Sequence, residues 1–188
     1  SSGTDAYELM LSAAAEVPPG SEGLLFLPYL TGNRVPHHAP NARGAFVGLV
    51  LRHTRAHLTR AIVEGVGFAL NDSLQNMRDL GIAPEEIIAS GGGARSRLWR
   101  QILADIFSAR ITAVTVDEGA AFGAALLAGV GAGIYQDVPA ACRAVVRRGE
   151  SISPDRDLRA YAGFYRRYRG LYPALQGQFE AISGPSPE

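Results

Sequence analysis

Residues 85–107 read EEIIASGGGARSRLWRQILADIF, with Gly91, Gly92 and Gly93 standing between an apolar run and a helical pattern. Glycine has no side chain to pack and loses the most backbone freedom on folding, so three together require a reason. One reason is anion binding. Without Cβ atoms the backbone can take positive φ and lie close to a ligand. Amides of the turn, and of a helix opening near Ser96, can then point at a phosphate. The candidates are Gly91, Gly92, Gly93 and Ala94 in the turn, with Ser96 and Arg97 at the start of the helix. The other reason is close packing of a strand on a helix, and the glycines by themselves leave both open. A dinucleotide fingerprint fits poorly, because Ser96 stands where its third glycine belongs and Asp117 lies beyond the next strand. A phosphate-binding P-loop is excluded, since Gly-Lys-Ser/Thr occurs nowhere.

Other residues could do chemistry but lack company. His53 and His57 are four apart at a helix start, and His37 and His38 are adjacent, yet neither pair has a convincing third metal ligand. Glu64 stands among Ile62, Gly65 and Gly67, which suits either a buried, hydrogen-bonded acid or an exposed one. Asp105 reads as solvent-facing. Cys142 is the only cysteine, so no intramolecular disulfide or thiolate cluster is expected.

The elements that must hold these residues follow from periodicity and punctuation. AYELMLSAAAEV predicts a helix that stops before Pro18 and Pro19. GLLFLPYL predicts a buried strand, residues 31–40 a loop, and ARGAFVGLV a second extended run. Thr54 is placed to cap a long helix striped by Leu58, Ile62, Val66, Leu70, Leu74 and Met77, with Gly81 closing it. After the glycine turn come a helix over 96–107, a strand ARITAVT and a helix DEGAAFGAALLAGVGAG capped by Asp117. The last helix carries Leu158, Tyr161, Tyr165, Tyr168, Tyr172, Leu175, Phe179 and Ile182, with Pro173 expected to kink or break it. This alternation predicts an α/β fold with residues 87–90 and 111–115 as adjacent parallel strands. The helices of 96–107 and 118–130 should pack on that sheet. Ligands bind such sheets at the carboxyl ends of strands, where the triple glycine sits.

Composition narrows the class. At 188 residues, 47% apolar and 19% charged, the chain has the make-up of a globular domain. Eighteen basic and eighteen acidic residues cancel, which argues against a nucleic acid or an anionic membrane as partner. With no basic leader and no apolar run approaching eighteen residues, a cytoplasmic setting is expected.

Four stretches together are more specific than any one: LPYLTGNRVPHHAPNARGAFVGL, HLTRAIVEGVGFAL, SGGGARSRLWRQILADIF and EGAAFGAALLAG. In this order and spacing they resemble the FGGY family of carbohydrate kinases over about residues 22–176, and most of all its xylulokinase branch. Gly44 to Leu49, His57–Leu58 and Ala61–Glu64 look like that family's second signature. The resemblance implies an actin-like fold of two ribonuclease-H-like lobes, with ATP and Mg²⁺ in the cleft. Gly92, Gly93 and Ala94 would flank the α-phosphate or ribose, and Ser96 and Arg97 would line the nucleotide pocket. Glycerol kinases carry an asparagine at the position of Arg97.

Complete members run to more than twice this length. The chain is therefore expected to be a partial C-terminal lobe over 1–176, with a frayed tail at 177–188 and the lobe's first strands absent. The base and the sugar contacts would belong to the N-terminal lobe, so no catalytic residue is assigned here and the isolated chain should be inactive. The implied partners are ATP, a sugar such as D-xylulose, the N-terminal lobe of the same kinase, and a second copy in a homodimer. Glycerol, ribulose, gluconate or an autoinducer are alternative acceptors, and a non-catalytic nucleotide-binding module is a different class of alternative.

Overall fold

The chain alternates helix and strand, but divides its strands between two small sheets. The computed structural model describes residues 6–114, 119–155 and 159–184. Helix α1 (Ala6–Ala15) ends before the prolines, and a turn at Gly20–Gly23 leads into β1 (Leu25–Leu27). β1 pairs antiparallel with β2 (Ala45–Val47), Phe26 facing Phe46. Helix α2 (Arg55–Asp79) begins at Thr54, whose backbone N donates to His57 Nδ1 at 3.2 Å, and it stops before Gly81 at φ 83°. Both boundaries agree with the sequence reading.

The second sheet has the order β3-β4-β5. β3 (Glu86–Ala89) and β4 (Arg110–Val114) are parallel neighbours joined through α3 (Arg97–Phe107), as expected. β5 (Arg148–Ile152) pairs antiparallel with β4, so the sheet is mixed rather than all-parallel. Neither β5 nor α5 (Val138–Val145) was expected from the sequence. α4 (Gly119–Gly131) is a helix, but it rests chiefly on α5 rather than on the sheet, and Gly129 is its one buried residue. Asp117, its expected cap, lies outside the described residues.

The stripe expected on α2 is corrected in part: Leu74 is buried as expected, and Leu58 and Val66 are half-buried. The packed face carries Ala61, Val63, Gly65, Gly67 and Phe68 with the polar Arg60, Glu64, Asn71 and Asp72, while Ile62, Leu70 and Met77 are exposed. The physical reason is close approach. A Cβ on Gly65 would come within 2.2 Å of the Phe26 carbonyl oxygen, so only glycine lets α2 lie directly on β1.

α6 (Arg159–Ser183) runs unbroken through Pro173. Pro173 and Arg169, whose carbonyl loses its helical donor, are both exposed, so water can satisfy that oxygen. The helix continues well into the stretch expected as a frayed tail: Phe179 is buried, and Ser183 Oγ donates to the Asn41 carbonyl at 3.3 Å. Tyr161, Tyr168 and Phe179 are the buried members of its stripe and Tyr165, Tyr172 and Leu175 are half-buried. Ile182 faces out and Leu158 lies outside the described residues. Phe68 of α2 meets Tyr161, Tyr165 and Tyr168 at ring-centroid distances of 6.0, 5.9 and 5.3 Å. Aromatic contacts of this kind add about 0.5–1.5 kcal/mol each beyond the area they bury.

Candidate functional site

β3 ends at Ala89, and the chain then turns through Gly91, at φ 85°, into a short 3-10 segment Gly92–Arg95 before α3. Two tight backbone bonds shape the turn: Ala94 N donates to the Gly91 carbonyl at 3.0 Å and Ser96 N to the Gly93 carbonyl at 3.1 Å. Ser96 caps α3, its Oγ accepting from Trp99 N at 3.2 Å. Only Gly91 needs positive φ. The question raised by the other two glycines is one of space.

A Cβ built on Gly91 or Gly92 would meet no atom within 4 Å, and one on Gly93 would meet Trp99 at 3.9 Å. Packing among the described residues therefore does not require Gly92 or Gly93. Both border a groove of about 410 Å³ whose opposite wall is α1, through Tyr7, Glu8 and Leu11. Ser96 and Arg95 complete its floor on the turn side. Behind the turn lies a larger apolar trough of about 710 Å³, where Gly93 and Ala94 meet Trp99, Ile88, Leu70 and Met77.

The six residues singled out in the sequence thus separate. Gly92, Gly93 and Ser96 line the groove, Gly91 sets the turn, and Ala94 is buried with its methyl turned inward. Arg97 points elsewhere: its side chain is 75% exposed and reaches Glu150 on β5 at 3.6 Å. Arg100 holds the same carboxylate at 2.8 Å, and with Arg97 keeps it below the usual carboxylate range. The α1 wall was not found from the sequence. Its helical signal is plain, but nothing local says that it faces the glycine turn.

The other flagged residues have ordinary partners. His57 holds the first turn of α2 and stands 3.8 Å from Glu22, while His37 stacks on Tyr172 with ring centroids 4.3 Å apart. Among the described residues no group of three or more His, Cys, Asp or Glu could hold a metal ion, and no helix is long and apolar enough to cross a membrane. Asp105 is half-buried and accepts from Gln101 at 2.9 Å and from Asp155 N at 2.8 Å. Glu64 is buried, the first of its two open readings, and Arg60 and Tyr161 hydrogen-bond to it.

Residues 1–132 match the C-terminal domain of the FGGY family of carbohydrate kinases. The chain is 39% identical to a xylulose kinase of Staphylococcus epidermidis over 153 residues, 81% of this chain and 31% of that protein. The crystal structure of xylulose kinase from Rhodospirillum rubrum superposes with a TM-score of 0.81 at 38% identity, over 95% of this chain and 36% of that one. Gluconate kinase from Lactobacillus acidophilus gives a TM-score of 0.82 at 31% identity, over 95% and 37%. The chain thus spans about a third of the length of these relatives. The expected fold class holds: helices on a small sheet, forming part of an actin-like sugar-kinase fold. The chain belongs to the FGGY family of carbohydrate kinases, and residues 1–132 match that family's C-terminal domain.

Proposed function

We propose that this chain is the ATP side of a longer sugar kinase that phosphorylates a hydroxyl of a pentulose such as D-xylulose. The observation that carries the reading is the open space over Gly92 and beside Gly93, where packing and backbone conformation among the described residues do not call for glycine. A groove of about 410 Å³ lies against that bare backbone, suiting a ligand that needs close approach, as the ribose and α-phosphate of a nucleotide do. The residues present fit such a ligand: open backbone at Gly92 and Gly93, Ser96 at the helix start, and an α1 wall with the apolar Leu11 and aromatic Tyr7 for the base. They do not amount to a Mg²⁺ site, since Glu8 is the groove's one carboxylate among the described residues, so the metal and the base that takes the sugar's proton are assigned to the remainder of the longer protein.

ATP supplies the phosphoryl group, which passes to the sugar oxygen as ADP departs and the hydroxyl proton goes to that base. In this scheme the present residues bind and orient. Gly91 to Ala94 fix the nucleotide's position, Ser96 rigidifies the start of α3, and α1 shields one side. Arg97, tied to Glu150, takes no part in holding the nucleotide.

Gluconate is the second acceptor to weigh, because the gluconate kinase superposes as well as the xylulose kinase does. Coupled ADP release by the full-length protein with D-xylulose, ribulose, glycerol and gluconate tests both. The expected order puts D-xylulose first, and turnover of gluconate alone would transfer the assignment. The isolated chain should release no ADP with any sugar. It should bind ATP no more tightly than about 1 mM, roughly 4 kcal/mol, because half a cleft covers one face of the ligand. A cytoplasmic setting, where ATP and free sugars meet, goes with this reading.

A further inference from the structure

Glu64 lies mid-way along α2 and is 1% exposed. Its Oε1 accepts from three donors: Arg60 Nε at 2.7 Å, the Tyr161 hydroxyl of α6 at 2.9 Å and the backbone N of Gly20 at 3.0 Å. Arg60 Nη2 also donates to the Tyr161 oxygen at 2.6 Å, closing a ring of three side chains. Arg60 is 5% and Tyr161 4% exposed. The second carboxylate oxygen has no partner among the described residues. Arg60 already balances the charge, so the bond to Gly20 does something that charge balance does not require.

Gly20 opens a turn in which four successive residues have positive φ: 82° at Gly20, 46° at Ser21, 52° at Glu22 and 93° at Gly23. Ser21 and Glu22 carry Cβ atoms, for which this conformation is unfavourable unless the surroundings hold it. The holds come mainly from α2 and its approach. Glu64 takes the Gly20 amide, Ser21 Oγ donates to the His57 carbonyl at 2.8 Å, and Arg52 pairs with Glu22. From above, Phe164 of α6 packs so closely that a Cβ on Gly20 would come within 2.0 Å of its ring. This turn is the hinge between α1 and β1, and α1 is the wall that faces Gly92, Gly93 and Ser96 across the groove.

We propose that Glu64 is a positioning residue of the nucleotide groove: by gripping Gly20 it sets how α1 is seated against the glycine turn. The proposal rests on the reading of that turn as the nucleotide site. The test is steady-state kinetics of the full-length kinase that contains this chain. The paired variant Arg60→Met/Glu64→Leu removes both charges at once, leaving no unpaired buried ion, and takes the acceptor away from Gly20. The expected result is a folded enzyme whose KM for ATP rises at least fivefold while its KM for sugar stays within twofold. Tyr161→Phe cuts the link to α6 but keeps the grip on Gly20, so it should lower Tm and leave the KM for ATP within twofold.

Should the paired variant not fold, Glu64→Asp retains the charge but draws back from Gly20, and must show the same rise confined to ATP. A KM for ATP at the wild-type value, or equal rises for ATP and sugar, would overturn the proposal. Gly93→Val in the same background separates the two layers. Its side chain has room beside Trp99, so it should fold and raise the KM for ATP. If it does not, the nucleotide reading fails and takes this proposal with it. If it does while the paired variant is unchanged, only the role of Glu64 is lost.

Discussion

Two regions of this molecule are rich in glycine for opposite reasons. Where α2 crosses β1 and meets α3, glycines are hemmed in: a Cβ on Gly65 would reach backbone at 2.2 Å, and one on Gly67 would reach Ile106 at 2.8 Å. At the turn after β3, Cβ atoms on Gly91 and Gly92 would meet nothing within 4 Å. The first set is demanded by the chain's own packing. In the second, Gly91 is set by its own positive φ, and on the proposed reading Gly92 and Gly93 answer to a ligand. In a sequence the two look alike, and only the space around each position separates an internal requirement from an external one.

The contrast can be broken most forcefully at the buried charges beside the hemmed-in glycines. Arg60→Ala leaves Glu64 buried with its counter-charge gone and should cost about 3–5 kcal/mol, read from urea unfolding at neutral pH. A loss under 1 kcal/mol would mean that the region is far less closed than it looks. Gly65→Ala comes next. Its methyl must displace β1 backbone, so a loss of about 3 kcal/mol is expected, the upper end of the overpacking range. Gly92→Ala should change stability by no more than about 0.5 kcal/mol, since its methyl points into open space. Equal losses for Gly65→Ala and Gly92→Ala would erase the distinction between the two regions.

A weaker contrast concerns association. β3 is an outer strand with Ile88 exposed, and the apolar trough runs along it. We expect the isolated chain to self-associate through that edge, and a clean monomer in light scattering at high concentration would refute this.

The smallest effect is on acid stability. Glu22, Glu86 and Glu150 are held below the usual carboxylate range, through Arg52, Thr112 and Arg100 respectively as the first cause. An acid with a lowered folded pKa adds stability that is present above its ordinary value and lost as pH falls through the folded one. The Tm margin of the wild type over a Glu150→Gln variant should therefore shrink as pH drops below about 4.5, while Glu64 and Asp72, raised by burial, act with the opposite sign in both proteins. A margin that grows over that interval would contradict the pairing.

Sequence reasoning succeeded where local chemistry decides the outcome. The Thr54 cap, the Gly81 stop and the β3-turn-α3-β4 succession all rest on signals a few residues long. It failed where partners decide. Of the expected stripe of Leu58, Ile62, Val66, Leu70, Leu74 and Met77, Leu74 is buried and Leu58 and Val66 half-buried, while Ile62, Leu70 and Met77 lie off the true packed face of α2. That face is small and polar because β1 comes close and because Arg60, Glu64 and Asp72 find tyrosine hydroxyls on α6. Pro173 was expected to kink or break its helix, and no break occurs because its face is exposed, which could not be read from the sequence. β5, spelled RGESI, has no apolar alternation to announce it and owes its place to β4. At the candidate site the turn was legible and its opposite wall was not. α1 is far away in sequence and reaches the turn through its packing on α2 and the turn at Gly20 that follows it.

The lateness of α6 has a consequence for how this domain comes into being. Tyr161, Tyr168 and Phe179 lie in the same buried cluster as Leu25, Leu27 and Phe68, more than ninety positions earlier. On a ribosome, β1 and α2 emerge long before the helix that completes their cover. Until Tyr161 is made, Arg60 and Glu64 must remain hydrated. Contacts spanning so much chain are slow to form and leave apolar surface uncovered meanwhile. These earlier elements are thus most vulnerable to aggregation and proteolysis while α6 is still being made, and its arrival is the step that covers them.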